Sequence, residues 1–453
     1  MNLENKNILV IGAGISGFAS SKITKRLGAN VTLIDSKLET DLNYNFNELR
    51  ELNINLKFGN LSNDLLKGVD FIIVSPRVPI NIPFLQSAIQ NHIQIMSEVE
   101  LGYHLAKSPI CAVTGTNGKT TTVTLLGLLL KTSYEKVGVG GNIGIPLSEV
   151  VLDVGENGVI AAEISSYQME STYNFKPKVS AILNITPEHI KRHGSMEVYQ
   201  AMKEKIFAQQ DKDNYLVLNY DDKRTREIKS HAKCKVLYFS LKQQLNEGAF
   251  LINDKLMIKF NNNLYDLCTV DELGIKGNHN IENALASTLV AFCAGCEPLK
   301  MKKVLMEFKG LEHRIEFVRE INGVKYYNDS KATNTDSTIK ALESFEGNII
   351  LIAGGDDKGT DLTELMQMVK NKVDELILFG NAASRFKHSA IENNFSQEKI
   401  HEVGYSMKNA VELAKNLANS NQIVLLSPAC ASFDMYDGFE SRGKDFKNIV
   451  NSL

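Results

Sequence analysis

The segment "AVTGTNGKTT", residues 112–121, restricts the architecture more than any other part of the chain. An apolar run, Ile110–Val113, enters a glycine-rich turn, and Lys119 and Thr120 then open an apolar helix. Strand, loop and helix in that order aim a helix N-terminus and several backbone N–H groups at one point, which makes an anion site. The pattern G-x-x-x-x-G-K-[ST] would need glycine at 113, where this chain has Val113. A purely structural loop has no use for Lys-Thr at a helix start. Gly115, Thr116, Asn117, Gly118, Lys119, Thr120 and Thr121 are therefore read as holding a nucleoside triphosphate, with the Thr120 hydroxyl offered to Mg²⁺.

A second glycine loop, Gly12-x-Gly14-x-x-Gly17, follows the apolar run "NILVIG" and opens a helix over 16–27. Asp35 ends the next apolar run, 18 residues after Gly17. This is the dinucleotide fingerprint, in which glycines admit the phosphates and an acid meets a ribose hydroxyl. The same geometry holds any nucleoside diphosphate, and a tight strand–helix turn is the plain alternative.

Apolar strands alternate with helical stretches along the whole chain, which implies parallel sheets. The fold class is α/β with three domains: an N-terminal Rossmann-like domain over 1–98, a central P-loop-type ATPase over 99–310, and a C-terminal Rossmann-like domain over 311–453. The alternating stretch 248–267 reads as a small antiparallel part of the central domain. "CAGC", 293–296, has redox-motif spacing but lies in an apolar helical stretch, so its thiols are read as packing groups.

Several polar residues stand where ligands of parallel sheets bind, past the carboxyl ends of strands. Glu163 ends "VIAAE", placed to meet a cation, and His189 follows the next strand. Asn280 and Asn283 lie on the first turn of a helix, as caps or as amides aimed at a nucleotide, and Arg314 stands at a domain junction. "NDSKATNTDS", "AGGDDKG" and "LSPACASFDMYDGFESRG" are three polar loops of the last domain. Together they make a pocket there.

"GTNGKTT", "GGNIG", "EISSYQ", "HNIENALA", "EHR" and "NDSKATN", in this order, resemble the Mur ligases, ATP-dependent amide ligases of peptidoglycan synthesis. The resemblance covers essentially the whole chain. "NDSKATN", "SPACASFD" and the N-terminal glycine loop are similar to the branch that adds D-glutamate to UDP-N-acetylmuramoyl-L-alanine. It implies ligation through an acyl phosphate, with ATP and Mg²⁺ at two sites as cofactors. By this resemblance Lys119, Glu163, His189 and Lys203 are catalytic, and Thr120, Glu163, His189 and Lys203, the last as a carbamate, hold metal. ATP would meet residues 115–121, Asn280, Asn283, Arg314 and Asp329. The UDP substrate would meet Gly14, Ile15, Ser16, Asp35, Ser36, Lys37, Ser75, Asn142 and His189. D-Glutamate would meet Lys331, Thr333, Lys358, Ser432, Phe433 and Phe439. Two positions depart from the family pattern: Arg77 stands where "SPG" has glycine, and Lys191 replaces an acid in "HIKRH".

Three rival readings are a folylpolyglutamate synthetase, which has no need of the "GAGISG" domain, an NAD-dependent oxidoreductase, which leaves "GTNGKTT" unused, and a nucleotide-gated binding protein without catalysis, which leaves Glu163 and Lys203 unexplained. Net charge is −3 and no apolar run is long enough to span a bilayer, so neither nucleic acid nor membrane is expected as a partner. The first residues read directly into a strand rather than as a signal peptide. A cytoplasmic monomer acting on small molecules is the expectation.

Overall fold

The computed structural model describes residues 1–453 except Asn43, Asn60, Lys358 and the side chain of Asp336. Lys358, expected at D-glutamate, thus lies outside the described residues. The chain packs as two compact units, Met1–Phe308 and Lys309–Leu453.

The first unit holds two sheets. β1 (Asn7–Ile11), β2 (Asn30–Asp35), β3 (Asn55–Phe58), β4 (Phe71–Val74) and β5 (Gln94–Ser97) are all parallel, in the order β3-β2-β1-β4-β5. Strand order reverses between β1 and β4, and a crevice opens there past their carboxyl ends. The Gly12 loop and Ser75 both leave the sheet at this point, and the Ser75 hydroxyl donates to the Gly12 carbonyl at 2.9 Å. A Cβ on Gly12, whose φ is +96°, would stand 2.8 Å from Ser75 Cβ, so the approach depends on glycine.

The second sheet comprises β6 (Ile110–Thr114), β7 (Lys136–Gly141), β8 (Gly158–Glu163), β9 (Val179–Ile182), β10 (Tyr215–Asn219), β11 (Lys235–Ser240), β12 (Gly248–Ile252), β13 (Lys255–Phe260) and β14 (Asn263–Thr269). Its order is β14-β13-β12-β11-β10-β9-β6-β8-β7, parallel from β7 to β12 and antiparallel thereafter. The antiparallel part expected at 248–267 therefore extends the main sheet instead of standing apart. On one face the helices Lys119–Leu130 and Asn278–Cys293 bury Leu125, Leu126, Leu129, Leu285 and Leu289. On the other, helix Leu147–Val154 lies close because β7 carries glycine: a Cβ on Gly138 would fall 2.4 Å from Val150 Cγ1. The cysteines are free, and burial pushes the Cys111 thiol up to about 12 and raises that of Cys296. These are packing thiols.

The second unit is built on β15 (Glu316–Ile321), β16 (Val324–Asn328), β17 (Ile349–Gly354), β18 (Val373–Phe379), β19 (Ile400–Glu402) and β20 (Ile423–Leu426). Their order is β15-β16-β20-β17-β18-β19, parallel except for the β15–β16 pair. No helix among the described residues is long and apolar enough to cross a membrane.

Candidate functional site

The phosphate-type loop leaves β6 as the sequence suggests. Gly115 and Gly118 hold φ of +158° and +82°, and Gly118 caps the helix from Lys119. A Cβ on Gly118 would lie 2.3 Å from Asn283 Oδ1, so glycine lets the second helix seat against the loop. Asn283 Oδ1 also accepts from the Thr122 hydroxyl, and Asn280 Nδ2 donates to the Lys276 carbonyl at 2.9 Å. Asn184, beyond β9, brackets Asn117: its Oδ1 accepts from the Asn117 N–H at 2.8 Å and its Nδ2 donates to the Asn117 carbonyl at 3.2 Å.

Lys119 Nζ folds back on the loop and donates to the carbonyls of Gly115 and Thr116 at 2.9 and 2.8 Å. Lys203, on helix Met196–Glu204, is 1 % exposed and donates to the same Gly115 carbonyl at 2.8 Å. Its ammonium lies 4.5 Å from the centroid of the Tyr199 ring. Burial first, then the Lys119 charge, holds the Lys203 amine well below its usual range, while Glu188 acts in the opposite sense. Lys203 is thus no solvated surface lysine. Lys205 is no solvated lysine either, since it donates to the carbonyls of Met169 and Glu170 at 3.0 Å each.

Glu163 ends β8 beside Val113 of β6, so the carboxylate and the phosphate-type loop leave neighbouring strands. Its Oε1 accepts from Asn142 Nδ2 at 2.8 Å, and its Oε2 is buried without a hydrogen-bond partner among the described residues. An orphaned buried carboxylate oxygen is costly unless something else neutralises it. With the Thr120 hydroxyl on the adjacent loop it supplies the hard oxygen donors that Mg²⁺ prefers. The residues fit the ion. His189 departs from expectation in placement: β9 stops at Ile182, and His189 instead caps the short helix Ile190–His193 with φ +58°. Its exposed ring packs 4.8 Å from that of Tyr167.

One cleft of about 1130 Å³ brings together Gly14, Ile15, Ser16, Asp35, Ser36, Lys37, Ser75, Lys119, Asn142, His189 and Lys203. The first glycine loop and Lys119, at the end of the second, thus face a common space. Asp35 is committed to backbone there: Oδ2 accepts from the Ala13 N–H at 2.8 Å and Oδ1 from the Lys37 N–H at 2.9 Å. Each oxygen keeps a lone pair for a hydroxyl.

The second unit gathers a further set. Asp329 reads as an exposed loop acid but is 4 % exposed; its Oδ2 accepts from the Ser427 hydroxyl and its Oδ1 from the Ile315 N–H. Burial pushes its carboxyl up to about 7, against the pull of Ser427 and Arg314. Arg314, which follows His313, is half-buried. Lys331 Nζ lies 5.8 Å from the centroid of the Phe439 ring, Ser432 is buried, and Phe433 is 72 % exposed. Thr333 follows on the same loop, its N–H donating to the Lys331 carbonyl. Arg442, fully buried, ties Ser330 to Cys430 and Ala431 through hydrogen bonds of 2.8–3.0 Å.

Sequence reasoning passed over Tyr199, Glu188, Tyr167 and Arg442. The Tyr199 hydroxyl meets Thr116 Oγ1 at 3.2 Å and donates to Glu188 at 3.4 Å, and burial raises its pKa. Its only signal was a place one helical turn before Lys203.

Three family models match the chain in series: the Mur ligase MurD-like N-terminal domain over 6–97, the Mur ligase middle domain over 113–291, and the Mur ligase glutamate ligase domain over 313–430. The chain is 44% identical over 453 residues to the UDP-N-acetylmuramoylalanine–D-glutamate ligase of Thermoanaerobacter sp. (strain X514), with all of both chains covered. It is 41% identical over 455 residues to the enzyme of that name from Clostridioides difficile (strain 630), again over both full lengths. The fold is similar to that of UDP-N-acetylmuramate-alanine ligase MurC from Thermotoga maritima, at a TM-score of 0.59, 20% identity and 99% coverage of each chain. A pseudomurein peptide ligase type C from Methanothermus fervidus superposes with the same TM-score and identity, over 99% of this chain and 100% of that one.

Proposed function

Because the chain belongs to the Mur ligase family, we propose that it joins D-glutamate to UDP-N-acetylmuramoyl-L-alanine at the expense of ATP, in peptidoglycan precursor synthesis. The observation that carries this reading is the shared cleft, in which Gly14–Ser16 and Lys119 face one space. A substrate with a nucleoside diphosphate at one end and a carboxylate at the other spans such a cleft. Its uridine end lies against Ser16, Asp35, Ser36, Lys37 and Ser75, and its carboxylate reaches Lys119, Asn142 and His189.

A carboxylate is inert to an amine until it carries a leaving group. Phosphoryl transfer from ATP makes it an acyl phosphate, the amine of D-glutamate adds to that carbonyl, and phosphate departs. Residues 115–121 with Asn280 and Asn283 hold the triphosphate; positioning and charge neutralisation supply most of the rate. Thr120, Glu163, His189 and Lys203 as a carbamate would hold Mg²⁺ at two sites, and the ion would neutralise charge on the transferring phosphoryl group. The depressed amine of Lys203 supports the carbamate, since only a neutral amine captures CO₂. By the family resemblance Arg314 and Asp329 are further ATP-binding residues, while Lys331, Thr333, Lys358, Ser432, Phe433 and Phe439 receive D-glutamate. On this reading the domains are 1–98, 99–310 and 311–453, which the three sheets support. The enzyme works as a cytoplasmic monomer.

The test is phosphate release from ATP with the purified chain. Release requires UDP-N-acetylmuramoyl-L-alanine and D-glutamate together. Release with either alone, or with L-glutamate and a folate instead, rejects the proposal.

A further inference from the structure

The segment Pro76–Val78 carries a feature the family pattern does not supply. Its backbone is gripped by Arg192. That guanidinium sends Nη2 to the carbonyls of Val78 at 3.1 Å and Pro76 at 3.5 Å, and Nη1 to the carbonyl of Arg77 at 3.4 Å. Behind it, Nε and Nη2 pair with both oxygens of Glu170 at 2.9 and 2.8 Å. The pair is largely buried, with side-chain exposures of 17% and 12%, and the guanidinium lies 5.1 Å from the centroid of the Tyr167 ring. Glu170 is itself fixed, because Lys205 holds its carbonyl. A planar fork satisfied on both sides is the form of arginine that sets a loop rather than one that meets a ligand.

The gripped loop presents Arg77. This residue is exposed, lines the cleft, and has no side-chain hydrogen bond or ion pair among the described residues. It follows Ser75 by two residues, and Ser75 is bonded to Gly12 at the start of the glycine loop. That loop opens the helix Ile15–Arg26, whose N-terminus favours phosphate. Two acids line this cleft, Asp35 and Glu188; Asp35 is engaged with backbone N–H groups, and neither pairs with Arg77 among the described residues. A free guanidinium on the rim of a phosphate-type loop has one chemical preference, a phosphate oxygen.

We propose that Arg77 binds the diphosphate of the nucleotide substrate, and that Arg192 is the positioning residue that holds Arg77 over the cleft. The inference deepens the UDP reading of this cleft and rests on it. Glycine at 77 would leave recognition to backbone N–H groups; arginine adds a charge-assisted bond and makes affinity depend on ionic strength.

The experiment is direct binding of UDP and of uridine to the full chain by calorimetry, which needs no turnover. Arg77→Ala weakens UDP about tenfold, leaves uridine unchanged and flattens the salt dependence of UDP binding. In turnover the same variant raises KM for the UDP substrate while KM for ATP and kcat stay within about twofold. Arg192→Lys keeps the charge but loses the fork, and it too weakens UDP. Adding Arg77→Ala to it costs little more, because the two act through one loop. Equal UDP affinity in wild type and Arg77→Ala overturns the proposal, as does equal weakening of uridine. Additive losses in the double variant overturn the role of Arg192. If the wild-type chain binds no UDP, the reading of the cleft fails first and this inference with it.

Discussion

Lys119 and Lys203 donate to one carbonyl oxygen, that of Gly115, at 2.9 and 2.8 Å. Two ammonium groups so placed repel each other, and the buried member yields its proton more readily. The loop that would hold a triphosphate and the lysine that would become an anion are thereby coupled through a single backbone atom.

On the proposed reading, Lys119→Ala removes a cation that faces the transferring phosphoryl group. Its kcat is expected to fall by about 10²–10³-fold, the cost of one electrostatic stabiliser at a transition state. The side chain is half-buried at the start of its helix and donates to two loop carbonyls, and the fold is expected to survive its loss, with little shift in thermal unfolding followed by circular dichroism. A folded variant with near-normal kcat refutes the role.

Lys203→Ala is expected to be nearly inactive. Acetate or formate should restore part of the activity by occupying the space of the carbamate. The control is Lys212→Ala, an exposed lysine. Lys205 is unsuitable, since its two backbone bonds help hold Glu170. Retained activity in Lys203→Ala, or no response to acetate and formate, removes the carbamate from the mechanism.

Gly118→Ala tests the seat between loop and helix. A side chain at φ +82° costs about 1–2 kcal/mol, and the new methyl would strike Asn283 Oδ1. ATP affinity, measured by calorimetry, should fall by at least about tenfold. Unchanged affinity would mean that the seat is not needed for the nucleotide.

Glu98 gives a pH dependence of stability. Its carboxyl is buried, Oε1 accepts from the Ser148 N–H at 2.6 Å, and Oε2 has no hydrogen-bond partner among the described residues. Burial pushes its pKa from 4.5 to about 7. Between those values the folded chain keeps a proton that the unfolded chain releases, so stability falls as pH rises through the window. Above it the cost is fully present, on the order of 3 kcal/mol at most. Glu98→Gln should match wild type near the bottom of the window and exceed it at pH about 8 in urea denaturation. Parallel curves at both pH values would refute the assignment.

Both glycine loops were legible because each needs glycine for a backbone reason: Gly12 against Ser75, Gly118 against Asn283. The long β/α runs were legible through continuous apolar strands. β7 was not, because Gly138, Gly140 and Gly141 hide its apolar pattern, and glycine there serves the packing of helix Leu147–Val154. β11 was passed over as well, although "KVLYFS" is a regular run, since nothing chemical marks it. At the candidate site the acids and lysines were found by motif, but their states were not. Asp329 and Lys203 look alike in sequence to any surface acid or lysine, and only tertiary burial raises the pKa of one and lowers that of the other. The fork of Arg192 joins residues more than a hundred positions apart and leaves no local trace.

The place of β20 between β16 and β17 orders events on the ribosome. The first sheet has all its strands once residue 97 has emerged, and it can close while the rest of the chain is still being made. The third sheet has no such freedom. β16 bonds to β20 and so does β17, so the sheet stays split until Ile423–Leu426 has emerged. Over that interval β17 and β18 carry an apolar edge with no neighbour, and the carboxy-terminal unit is the part of the nascent chain most in need of protection from association.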